Sequence, residues 1–147
     1  MAFHFNLQSV LDHRAHLEEL AQHDLAARQA VLTECKDRLA WLGEELKRAQ
    51  AKLRKKDTKG VSANEFVMAN EYSTVLRLQA LAQKAKMPML EADVEQARLK
   101  LVEATKDRKA LELLKEKHKA RFLRQELLAE QRILDEVAIS AYSRREQ

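Results

Sequence analysis

Turn-forming residues are what this chain has least of: two glycines and one proline in 147 residues. Glycine supplies left-handed backbone positions and proline supplies fixed bends, so a chain this poor in both cannot build the many loops of a layered fold. Aromatic residues make up 5% and cysteine occurs once, at Cys35, which excludes a thick aromatic core and any intrachain disulfide. No apolar run approaches the roughly 18 residues that span a bilayer. The opening MAFHFNLQSVL has no basic block followed by an apolar one, as a secretory leader requires. The two glycines, Gly43 and Gly60, are too far apart for a Walker loop or a dinucleotide fingerprint. The sequence therefore predicts no catalytic cleft and no nucleotide hydrolysis by the chain itself. A reducing, cytoplasmic setting is the natural expectation.

What is present in quantity is alanine, leucine and charge, with 46% apolar and 34% charged residues. Leu11, Leu25, Leu32, Leu39, Leu46 and Leu53 stand in a seven-residue series interrupted at Glu18. A companion row holds Leu7, Ala21, Cys35, Leu42 and Ala49, with Arg14 and Arg28 as polar members. Such a stripe stays on one helix face only if the helix winds around a partner. The first helix is expected from about Asn6, as its cap, to about Lys56, roughly 75 Å at ~1.5 Å per residue.

Residues 57–63, around Gly60, form the expected turn. A second helix follows over about 64–142, capped by Ser62 or Asn64, with Glu65 in its first turn. Its seam begins at Leu76 and Ala80 and runs through Met87, Leu90, Val94 and Ala97 to Leu111, with Gln83 and Arg108 as polar members. A short connection makes the helices antiparallel neighbours. The fold class is all-α: a long antiparallel two-helix coiled-coil hairpin in one elongated domain, residues 1–147. Pro88 is expected to kink or briefly break the second helix. After Leu111 the apolar row changes phase to Ala120, Leu123, Leu127, Leu134, Val137 and Ala141. The second helix is the longer, so the segment from about Lys117 overhangs and presents an apolar stripe to a partner.

Candidate chemistry is sparse. His13 and His16 lie near Asp12 and Glu19 at helical spacing, which reads as a solvated face rather than a metal site. The basic run Lys47, Arg48, Lys52, Arg54, Lys55, Lys56 and Lys59 lacks base-stacking aromatics, so it reads as a solvated end or an acidic-protein contact before a nucleic-acid site. Trp41 and Tyr72 fall at one level of the hairpin, as packing residues or, if turned outward, as binding anchors. No cofactor, catalytic or metal-binding residue is assigned.

Four stretches carry a resemblance. They are Phe3-x-Phe5-x-Leu7-x-x-Val10-Leu11-Asp12-x-Arg14; Glu65, Tyr72 and Leu76 after Gly60; Glu103 to Glu112; and Asp135-Glu136-Val137-Ala138. In order and spacing the chain resembles the FliJ family of the bacterial flagellar export apparatus. The resemblance implies a cytoplasmic, non-catalytic stalk, peripheral to the inner membrane at the flagellar base. It implies binding to the hexameric export ATPase, to a membrane export gate protein and to export chaperones. Carried over, the ATPase-facing residues are Phe3, Phe5, Leu7, Asp135, Glu136 and Val137, and the gate-facing residues are Leu42, Tyr72 and Leu76. Ala49 and Gln83 are smaller or more polar than the gate stripe leads one to expect. A stalk of a virulence-type secretion system, a basic nucleic-acid-binding arm and a coiled-coil scaffold are the alternative readings.

Overall fold

The heptads resolve into two helices in the computed structural model, which describes residues 2–57, 60 and 62–146: α1, Gln8–Asp57, and α2, Ala63–Arg145. They pack against each other as an all-α helical hairpin, with no strand among the described residues. α1 starts one residue later than an Asn6 cap requires. The Leu7 carbonyl accepts the first helical bond, from the Leu11 N–H at 2.9 Å, and the Gln8 N–H goes to the Phe5 carbonyl at 3.0 Å. The Asn6 side chain is engaged elsewhere, 3.3 Å from His4 Nδ1. Leu7 thus precedes the helix in a turn and is exposed, so it is not a seam residue.

Gly60 takes the left-handed backbone that ends a helical run, at φ 74°. Thr58, Lys59 and Val61 of the expected turn lie outside the described residues. Ser62 is the cap of α2: its hydroxyl accepts the Glu65 N–H at 3.4 Å, which decides between Ser62 and Asn64. Arg144 and Arg145 place positive charge at the opposite end, where the helix dipole favours it. The break expected at Pro88 does not occur, since α2 is continuous from Ala63 to Arg145. One lost backbone bond costs ~3 kcal/mol. Met87, Leu90, Val94 and Ala97, half-buried or buried on the hairpin side, offset it, while Pro88 itself faces outward.

Contacts divide the chain into two units, residues 20–102 and residues 1–19 with 103–147. In the first, Cys35, Leu42, Leu76 and Ala97 are buried along the seam, flanked by half-buried Leu25, Leu32, Leu39 and Leu46. The polar interruptions expected here are partnered across the seam. Arg28 bridges Asp24 at 3.2 Å and Asp93 at 3.7 Å, and Cys35 Sγ donates toward the Gln83 carbonyl at 3.5 Å and its side-chain oxygen at 3.3 Å.

In the other unit the seam is more polar. Glu18 is buried and accepts from Arg108 and, at 3.3 Å, from Thr105. Arg108 also reaches Glu112 at 2.6 Å, Arg14 meets Asp107 at 3.2 Å, and Lys115 donates to Gln8 at 2.7 Å. Past Lys115 the Phe5 ring stands edge-on to His118 at 5.8 Å, and Phe3 lies 5.7 Å from Phe122. Pairing thus runs Leu111, Lys115, His118, Phe122 without a change of phase. The expected shift to Ala120 and Leu123 is not used by the hairpin, because the N-terminal aromatics dock in the older register.

Candidate interaction surfaces

Past Glu126 every residue, from 127 to 146, is exposed. Leu127, Leu134, Val137 and Ala141 share one helix face, and Leu134 is 68% exposed. Asp135, Glu136 and Val137 sit on this bare helix. The other three residues expected beside them do not: Phe3 and Phe5 are packed against Phe122 and His118, and Leu7 lies in the turn before α1. From Phe122 to Val137 is fifteen residues, ~22 Å of helix at ~1.5 Å each. The six residues thus form two patches on one unit.

The three residues expected to face a gate are split by burial. Leu42 and Leu76 are 1% and 3% exposed, inside the seam, whereas Tyr72 is 46% exposed. The Tyr72 hydroxyl lies 3.2 Å from Glu45 Oε1. Partial burial first, then the charge and hydrogen bond of Glu45, push its phenol above the ordinary tyrosine value of 10.0. Trp41, one residue from Leu42, is 47% exposed and lies under the Arg38 guanidinium, 4.6 Å from the ring centre. It borders an open groove between the two helices that Cys35, Gln83 and Lys86 also line.

Part of the charge is matched locally. Lys47 and Arg48 of the basic run pair with Glu44 and Glu45 at 3.6 and 3.7 Å; Lys59 and the Lys56 side chain lie outside the described residues. Hydrogen bonds from Arg98 hold the Glu95 carboxyl below its usual range. Those to Glu18, then Glu112, hold Arg108 above its own. Among the described residues no three His, Cys, Asp or Glu side chains are placed to hold a metal ion, and no helix is long and apolar enough to cross a membrane. One feature escaped the sequence reading: the outer face of α2 is uncharged at every position of a second heptad row from Val75 to Leu99. Its signal was the three-and-four spacing, hidden by the stronger seam beside it.

A hairpin whose side chains are spent on pairing, with a bare amphipathic helix past the paired part, defines the class of two-helix coiled coils. Compared with protein families, residues 3–147 match the family described as flagellar FliJ protein. The chain belongs to that family and is a flagellar export-related protein. Searches of curated proteins and of solved structures gave no match.

Proposed function

We propose that the chain is a non-catalytic stalk of the flagellar export apparatus, which binds the hexameric export ATPase, promotes its assembly, engages the membrane export gate and escorts export chaperones. The observation that supports this best is the bare helix of residues 127–146: a single helix with a face of Leu127, Leu134 and Val137 is costly to leave in water and suits a ring that closes around it. A stalk that differs from side to side makes the subunits of a surrounding ring inequivalent. Its binding then favours the assembled ring and biases the nucleotide states of successive subunits.

In this reading Asp135, Glu136 and Val137 contact the ATPase directly. Phe3, Phe5 and Leu7 act at the root of the same helix, where Phe3 and Phe5 fix its departure from the pair. Of the gate-facing residues Tyr72 supplies surface, and Leu42 and Leu76 hold the helices that present it. The chain works in the cytoplasm and reaches the inner membrane through the gate, without inserting.

Truncation after Ala129 tests the reading. ATPase turnover and ring assembly, followed together with the purified flagellar export ATPase, should lose their stimulation while the truncated chain keeps a helical spectrum. Full stimulation by the truncated chain refutes the assignment.

A further inference from the structure

The tip of the hairpin, within the unit of residues 20–102, gathers the positive charge of the chain. Between Glu45 and Glu65 seven basic residues stand against one acid, Asp57, whereas the rest of the chain holds twenty basic and twenty-two acidic residues. Lys47 and Arg48 are paired with Glu44 and Glu45. Lys52 and Arg54 are exposed, and neither meets a carboxylate among the described residues. A surplus of four charges is left at one place, as large as the net +4 of the whole chain.

Charge alone suits an acidic protein or a nucleic acid as well as a lipid, and the first turns of α2 decide between them. Phe66, Val67 and Met68 are consecutive and stand 48%, 51% and 69% exposed. Lys52 and Leu53 line one hollow with Ala69 and Tyr72, which sets this apolar turn level with the last turns of α1. Three consecutive helical residues spread over about 200° of the circumference. A groove in a partner protein takes an apolar stripe about half as wide, and the phosphates of a nucleic acid give apolar side chains nothing to enter. A bilayer met end-on takes all three at once, with charge at the headgroups and acyl chains beneath. The depth agrees. Phe66 to Met68 lie three to five residues past Ala63, ~5–8 Å along the helix, against the roughly 5–10 Å to which interfacial apolar groups sink. Long lysine and arginine stems keep their charged ends among the headgroups at that depth. We propose that the hairpin tip docks end-on on an anionic phospholipid surface, with Lys52 and Arg54 among the headgroups and Phe66, Val67 and Met68 at the acyl boundary.

Each basic group held at such a surface multiplies binding by about five, so a surplus of four raises it roughly 600-fold, and only over anionic lipid. The attraction is screened by salt. Contact is confined to the headgroup boundary and nothing crosses the bilayer, so docking is reversible. Lipid contact at the tip stands apart from the ATPase reading, which rests on residues 127–146.

Flotation of the full chain with lipid vesicles tests it. Vesicles of phosphatidylcholine with about one-third phosphatidylglycerol should carry the chain at about 50 mM salt, and phosphatidylcholine alone should not. Raising the salt to about 500 mM should release most of it. Lys52→Glu with Arg54→Glu should weaken binding by at least about 20-fold. Val67→Ser with Met68→Ser, which leaves the charge untouched, should weaken it by about 10-fold. Circular dichroism checks that each variant keeps its helices. Depth is read from Met68→Trp in a Trp41→Phe background. Its emission should shift to the blue on anionic vesicles and be quenched by acyl-brominated lipid, whereas the native Trp41, ~24 Å before the end of α1, should not respond. Failure to float with anionic vesicles, equal flotation with neutral ones, or full binding by the Lys52→Glu, Arg54→Glu chain overturns the proposal. So does full binding by the Val67→Ser, Met68→Ser chain, or tighter binding to duplex DNA or polyglutamate than to the vesicles, since either marks the tip as a general anion contact.

Discussion

Replacing Ser73 by alanine should stabilise this protein. Ser73 lies in the seam of α2 at 2% exposure, and its hydroxyl oxygen has no hydrogen-bond partner. A buried hydroxyl left without a partner costs about 1–3 kcal/mol. Alanine adds about 0.5 kcal/mol of helix propensity over serine, and the space left by one oxygen returns less than about 1 kcal/mol. The net gain is about 1–2 kcal/mol, which for a chain of this length raises the melting temperature by about 3–8 °C. Urea unfolding followed by far-ultraviolet circular dichroism should show a higher midpoint with an unchanged slope. The neighbouring Thr74 is the control: its hydroxyl is exposed and donates to the Asn70 carbonyl at 2.9 Å, so Thr74→Ala sets a propensity gain of about 0.5 kcal/mol against the loss of one exposed hydrogen bond. A Ser73→Ala midpoint no higher than that of Thr74→Ala refutes the reasoning, and a lower one means that the hydroxyl is bonded in solution.

Adjacent residues should respond very differently to truncation: Leu42→Ala, at 1% exposure, is expected to cost about 2–4 kcal/mol, and Trp41→Ala less than about 1 kcal/mol. Equal losses in urea unfolding would contradict the burial pattern. In a Tyr142→Phe background, ultraviolet titration should place the Tyr72 phenol above 10.0, with Glu45→Gln lowering it part of the way because burial remains. The sign follows from linkage: a phenol whose folded value is raised contributes stability below the unfolded value and loses it as pH climbs through the folded one.

The seam of α1 was legible because its heptads are nearly unbroken, and Gly60 marked the only place where the chain could turn. Burial follows the same two rows from Leu11 to Leu53. The continuous helix at Pro88 was not legible, since local chemistry argues for a break and only the packing of Met87 and Leu90 argues against it. The phase beyond Leu111 was misread for a related reason. The row from Ala120 is the more apolar, but pairing is decided by what the N-terminus brings to that level, and Phe3 and Phe5 bring rings that fit His118 and Phe122. Burial of Leu42 and Leu76 was anticipated, whereas the separation of Phe3 and Phe5 from Val137 depends on where pairing stops, which periodicity does not encode.

Cys35 gives the molecule a clock. It is the one thiol in the chain, 6% exposed, one heptad from Leu42 and pointed at Gln83 across the seam, so an alkylating reagent reaches it far more readily when the helices part there. The labelling rate, set against that of a free thiol, therefore counts openings of the hairpin in real time. A partner that grips the closed rod will slow the clock. One that must reach Leu42 and Leu76 will speed it, so the sign of the change tells which kind of grip a partner uses before any complex is seen.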